Sequence, residues 1–296
     1  MMFRLRRLLA PFVLCIALLF SEAQAFTIAW LSDTQNYHNA YKPIFDGMTQ
    51  WIADNRAALD IRFVFHTGDV VGSWSSEDQW RQARESMGIL SSASIPFLAA
   101  CGNHDIGYRM NYANFLKYVL SLRPASMSQE YGDTGSRYEL FSANGRDYIF
   151  MGIAFSNKGP SEDEVNWING VLRQYSSRDA IIITHSYLKK SASYTTQGKA
   201  IFEKIVKANP NVFLVLCGHC RDISEKSVPL DDDGDGNPDR TVYAILSNFQ
   251  GSKAGGGGYM RILDFRDSDI YIYTYSPYYD SCEYPKGKTE ATVPLP

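Results

Sequence analysis

Cysteine is scarce, with 5 in 296 residues, and only Cys101, Cys217, Cys220 and Cys282 lie beyond residue 25. That is too few for a small scaffold held by disulfides, and their pairing cannot be read from spacing. Cys217-x-x-Cys220 has no flanking tryptophan and no strand-to-helix setting, so a buried pair or a local bridge is expected rather than a redox couple. An excess of positive charge is missing too: 29 Lys and Arg stand against 32 Asp and Glu, net −3, which gives no footprint for a nucleic acid duplex. Only one long apolar run exists, Leu8 to Phe20, and its 13 residues fall short of the roughly 20 that a spanning helix needs. No membrane span is expected. Internal repeats are absent as well, which argues against a repeat array or an adhesive stalk.

The apolar run follows Arg4, Arg6 and Arg7 and leads to Ala23-Gln24-Ala25, a small-x-small pattern. This predicts a signal peptide over residues 1–25, cut near Ala25, and a secreted or periplasmic chain of one domain over 26–296. Cys15 sits inside the run after Leu14, away from the small-residue junction of a lipid anchor. Hydrophobic content of 45% supplies a sizeable core, and the 14% of aromatic residues, led by tyrosine, has rings to spare for a substrate surface.

Five short apolar runs each end in polar atoms: Thr27 to Leu31 before Ser32-Asp33, Ile61 to Phe65 before Gly68-Asp69, Phe97 to Cys101 before Gly102-Asn103-His104-Asp105, Ala180 to Ile183 before Thr184-His185, and Val212 to Cys217 before Gly218-His219. Runs of that length and content read as buried strands. Helical periodicity separates them over Tyr41 to Ala58, Glu77 to Leu90, Asn111 to Leu120, Glu162 to Tyr175 and Gly198 to Ala208. Alternation of strand and helix argues for parallel or mixed sheets whose carboxyl ends meet at one cleft. Beyond residue 222 come strand-like runs at Thr241 to Leu246, Tyr259 to Phe265 and Ile270 to Tyr275, with four glycines from Gly255 to Gly258 and a polar end after Tyr284.

The strand tips gather Asp33, Asp69, Asn103, His104, His185 and His219. A single histidine at a strand end is usually a packed residue, but oxygen donors and imidazoles from five strands suit manganese, iron, zinc, cobalt or nickel. His66 falls within a strand and is expected to be an interior hydrogen-bonded residue, and His38 a solvent-facing loop residue.

Asp33-x-Gln35, Gly68-Asp69, Gly102-Asn103-His104-Asp105, Thr184-His185 and Gly218-His219-x-Arg221 resemble, in order and spacing, the signature of calcineurin-like metallophosphoesterases. The stretch from Tyr243 to Pro277 resembles secreted members with Asp-Thr-Gln as first motif in place of Asp-x-His. The resemblance implies a four-layer α/β sandwich of two mixed β-sheets flanked by helices, with the metal site at the C-terminal ends of the strands. It also implies one or two divalent transition ions and a small phosphorylated substrate. Asp69 would bridge two ions, with Asn103, His185 and His219 completing one site and Asp33 contributing to the other. There this chain departs from the family, with Gln35 and Arg221 where histidines are usual. Gln35 keeps a neutral carbonyl oxygen, while Arg221 stays protonated and favours a phosphate oxygen over a cation. Either a weak second ion binds through oxygens, or Arg221 supplies part of its charge. His104 is expected to act as general acid with Asp105 orienting its ring, the plainer role for Asp105 being a helix cap.

Asp231-Asp232-Asp233-Gly234-Asp235-Gly236-Asn237-Pro238-Asp239 spaces carboxylates at alternate positions, as calcium loops do, without the closing glutamate of an EF-hand. Asp231, Asp233, Asp235 and Asp239 are the candidate calcium ligands, a plain acidic turn being the alternative. The opposing functional reading is a catalytically impaired ligand-binding protein on the same fold. Intact His104 argues against it, Gln35 and Arg221 for it.

Overall fold

The computed structural model describes residues 25–122, 129–284 and 290–296; the expected leader lies outside them. Strand β1 (Phe26–Leu31) is buried along its whole length. Alternation sends Phe26, Ile28 and Trp30 to one face and Ala29 and Leu31 to the other, so both faces need cover. The chain continues through α1 (Lys42–Asp54), β2 (Ile61–His66), α2 (Glu77–Ser92), β3 (Phe97–Ala99), α3 (Asn103–Ile106), α4 (Ala113–Tyr118), β4 (Gln129–Tyr131), β5 (Ser136–Ala143) and β6 (Arg146–Ile153). It then runs through α5 (Glu162–Gln174), β7 (Asp179–Thr184), α6 (Thr196–Ile201), β8 (Val212–Cys217), β9 (Asp222–Leu230), β10 (Arg240–Asn248), β11 (Met260–Phe265), β12 (Asp269–Tyr275) and β13 (Glu290–Pro294).

These strands form two mixed sheets, ordered β13-β12-β11-β1-β2-β3 and β4-β5-β6-β7-β8-β10-β9. Between the sheets lies an aromatic layer in which Phe150 meets Phe63 and Phe65 edge-on, at centroid distances of 5.0 and 4.9 Å. Helices α1 and α2 cover the outer face of the first sheet through Phe45, Met48, Trp80 and Met87. Helix α5 and the segment from α6 to Val206 cover the second through Ile168, Leu172, Ile201 and Ile205. The result is the expected four-layer sandwich. Helix starts follow local chemistry, with Ser76, Ser161 and Thr195 accepting a hydrogen bond from the backbone N–H three residues on.

All eight expected strands form, the five with polar tips and the three beyond residue 222. The sequence reading missed β4, β5 and β6, where antiparallel hairpin pairing replaces the strand-helix alternation, and β9, whose residues are half exposed at a sheet edge. It also ended too early: Glu290–Pro294 is an edge strand, buried at Ala291 and Val293 and exposed between them. Cys101, Cys217, Cys220 and Cys282 are free thiols. Among the described residues no helix is long and apolar enough to cross a membrane.

Candidate metal centre

Strands β1, β2 and β3 run parallel in one sheet, and β7, β8 and β10 in the other, so their carboxyl ends face one cleft. The turns there are tight. Asp33, Asp69 and His219 take φ of 50°, 53° and 68°, a left-handed backbone that aims three polar side chains inward and that functional sites tend to keep.

His185 is the hub. Its Nδ1–H donates to the Thr67 carbonyl at 2.8 Å, joining the two sheets and leaving Nε2 facing the cleft. Around Nε2 stand Asp69 Oδ2 at 3.3 Å, Asn103 Oδ1 at 3.1 Å and His219 Nδ1 at 3.1 Å. Donors bonded to one ion at about 2.1 Å lie roughly 3.0 to 3.4 Å apart, so these separations fit a shared coordination shell. The donor set is also chemically apt, two imidazoles with carboxylate and carboxamide oxygens.

Charge is consistent with a cation there. Burial pushes the Asp69 carboxyl up, but the charge and hydrogen bond of His185 outweigh it and hold Asp69 below the ordinary carboxylate value. Burial likewise pushes His185 down, yet Asp69 wins and lifts the ring to about 9. His219 is pushed down to about 4 by burial and by His185. The carboxylate of Asp69 thus favours positive charge at His185 Nε2, the place where a divalent ion would put it.

Asp33 is next to this set and serves its frame. Its carboxylate accepts the His219 backbone N–H, with both oxygens at 3.2 Å, and the Ser32 hydroxyl. Burial pushes the Asp33 carboxyl up to about 7, against the pull of His185. Gln35 is buried and its Oε1 has no hydrogen-bond partner, an orphaned acceptor of the kind a hard cation satisfies. Arg221 is exposed, two residues past His219, beside Gly251.

His104 is exposed, and its backbone N–H donates to Asp69 Oδ1 at 2.9 Å. Its ring Nδ1–H donates to the Gly72 carbonyl at 2.9 Å, which leaves Nε2 as the ring nitrogen not engaged by the protein. The expectation that Asp105 orients this ring does not match the geometry. Asp105 is fully buried and accepts the backbone N–H groups of Gly102, Val70 and Val71 at 2.8, 2.8 and 3.0 Å. It occupies the third position of α3, where a carboxylate turns back to cap its own helix, and from there it also holds the loop after Asp69.

His66 is interior, as expected: its Nδ1 accepts the Gly68 N–H at 3.1 Å and its Nε2 pairs with Thr34 Oγ1 at 3.0 Å. His38 is half-buried on the Gln35 carbonyl. Sequence reasoning missed Thr67 and Asn248, whose side-chain amide donates to the His219 carbonyl at 3.0 Å. The signal was available, since Ser247-Asn248 is the polar tip of β10, another strand parallel to β8. In the hairpin between β9 and β10, Asp231, Asp233 and Asp239 each offer an oxygen within 4.8 Å of the others, while Asp235 stands outside that group and accepts the Asn237 N–H.

Residues 26–220 match the model of the calcineurin-like phosphoesterases. The chain belongs to this family. A curated relative, the uncharacterised protein YvnB of Bacillus subtilis strain 168, is 41% identical over 259 residues, which are 86% of this chain and 20% of the relative. The chain thus spans about a fifth of that relative's length. Among solved structures, a dimetal phosphatase from Danio rerio superposes with a TM-score of 0.61 at 12% identity, covering 91% of this chain and 98% of that one. GAP50, described as the anchor in the inner membrane complex of Plasmodium, superposes at 0.59 and 13% identity over 92% and 89%. At such identities these two neighbours speak for the fold alone; the calcineurin-like assignment rests on the family match.

Proposed function

We propose that the chain is a metal-dependent hydrolase of phosphate esters, mono- or diesters, acting outside the cytoplasm after removal of a leader. The observation that carries the reading is the convergence of Asp69, Asn103 and His219 on His185 Nε2 within 3.3 Å, at the meeting edge of two sheets. Asp69, Asn103, His185 and His219 would hold one ion, and Asp33, Gln35 and Asp69 would hold a weaker second. When bound, a divalent transition ion supplies Lewis-acid chemistry, making water acidic enough to attack and neutralising phosphate oxygens.

The chain's own groups do the rest. Asp69 positions His104 through the backbone N–H at 2.9 Å, and the Gly72 carbonyl fixes the ring so that protonated Nε2 can donate to the leaving alkoxide. Arg221, a fixed cation on the rim, binds a phosphate oxygen. His104→Ala should retain bound metal yet lose turnover about 10²- to 10⁴-fold on alkyl esters and far less on aryl esters with good leaving groups. Equal losses across a leaving-group series would remove His104 from the acid role.

A second reading, a ligand-holding protein without turnover, is favoured by Arg221, whose charge opposes a second ion; GAP50, described as an anchor, has this fold. The acidic hairpin is a separate calcium site in this proposal, supported by the three grouped carboxylates. Titration calorimetry with calcium should give binding heat in the wild type that Asp231→Ala with Asp233→Ala abolishes, and indistinguishable heats would leave a plain turn.

A further inference from the structure

A cavity of about 1060 Å³ has Gly251, Lys253, Tyr259, Tyr279, Tyr284 and Glu290 on its wall. Hydrogen bonds link the metal centre to Gln250, the neighbour of Gly251 on this wall. Asn248, which holds the His219 carbonyl, also accepts the Gln250 N–H at 3.0 Å, and Asn36, just past Gln35, donates to the Gln250 carbonyl at 3.3 Å. On the wall itself, a Cβ at Gly251 would lie 3.4 Å from Arg221 Cδ. The residue assigned to phosphate therefore touches the cavity's edge.

The wall is built to show a ring. Gly257 and Gly258 have φ of 64° and 66°, and a Cβ at Gly257 would press on the Tyr279 and Tyr259 rings. The Ser276 hydroxyl donates to the Gly257 carbonyl at 2.6 Å and accepts the Tyr279 N–H at 3.1 Å, locking the two segments together. Tyr259 and Tyr284 are buried with Phe249 in a small aromatic cluster, which explains them as packing. Tyr279 is different: its ring stands 5.8 Å from that of Tyr259 and keeps 45% of the residue exposed. The Tyr279 ring also packs edge-on against Tyr278 at 4.8 Å, and the residue lines the cavity together with Lys253 and Glu290.

We propose that this cavity receives the leaving group of the phosphate ester, and that this group carries a ring with a flat apolar face and a polar edge. The name leaving group rests on the phosphoesterase reading. Nucleosides and pyranosides share that chemistry, and both suit an amphipathic tyrosine face with charged groups at the rim. A cavity of this size exceeds what glycerol or a short alkyl chain fills.

Two measurements test it. Calorimetry on the metal-loaded protein would follow adenosine, methyl glucoside and glycerol, the free alcohols, so that no turnover is needed. Hydrolysis would be compared for a nucleoside monophosphate, a hexose phosphate and glycerol phosphate. One ring-bearing alcohol should bind at least about tenfold tighter than glycerol, with the same preference in kcat/KM of its ester, and the stronger arm identifies base or sugar. Tyr279→Ala should bring both ratios close to one, and Tyr279→Phe should keep them. The proposal is overturned if neither ring alcohol outbinds glycerol, or if Tyr279→Ala leaves the ratios as in the wild type. Ring binding that depends on Tyr279 without hydrolysis of any ester would keep the cavity and sink the phosphoesterase reading. Hydrolysis indifferent to the ring would do the opposite.

Discussion

Asp69→Asn should lower turnover at least about 10³-fold and strip bound metal while leaving the fold intact. The substitution is nearly isosteric, and asparagine tolerates the φ of 53° that Asp69 adopts. The carboxamide oxygen can still accept the His104 N–H, so the neighbouring loop keeps its support. What disappears is the negative charge that faces His185 Nε2 at 3.3 Å and that would anchor the cation. Elemental analysis and phosphate release read the two effects, and circular dichroism checks the fold. Retained metal and turnover in this variant would mean that the ion sits elsewhere.

The second large effect comes from a residue with no side chain. A Cβ at Gly102 would overlap Asp69 Oδ1 and the Asp69 backbone nitrogen. Gly102 itself has φ of −104°, which alanine adopts freely, so any loss in Gly102→Ala reports the clash and not backbone strain. Crowding of this kind costs about 1–3 kcal/mol, and displacement of a ligand should weaken metal binding by at least about 10²-fold. Gly88→Ala is the control, since the position in α2 has nothing within 4 Å and alanine there should stabilise by about 0.5–1 kcal/mol. Thermal melts with and without chelator separate the two variants. Similar behaviour of both would show that the close approach at Gly102 is not what positions Asp69.

Much of this was readable from sequence because parallel strands buried on both faces are written as short apolar runs, and their tips must be polar where they line a cleft. Val212–Cys217 is such a strand with the expected bounds, and His219 follows at its end. The donors Asp69, Asn103, His185 and His219 come together as the motif order implied. Legibility failed where the physics is local or long-range. Asp105 was given to His104 by adjacency along the chain, whereas the turn of α3 points it inward to three backbone donors. Thr67 acts through a carbonyl, which no residue type advertises. Asn248 comes from a strand that follows an edge hairpin, so its place beside β8 depends on sheet order. The glycine run from Gly255 to Gly258 reads in sequence as a turn or a close backbone approach, and nothing there tells that tyrosine rings are what approach at Gly256 and Gly257.

The most direct test of the account is to purify the chain, count its bound metal, and measure phosphate release from aryl mono- and diesters with added manganese, with His219→Ala alongside. The account predicts one or two ions per chain and metal-dependent turnover that is lost together with the metal in the variant. Bound metal without turnover of any ester, or turnover that survives a chelator, would contradict it.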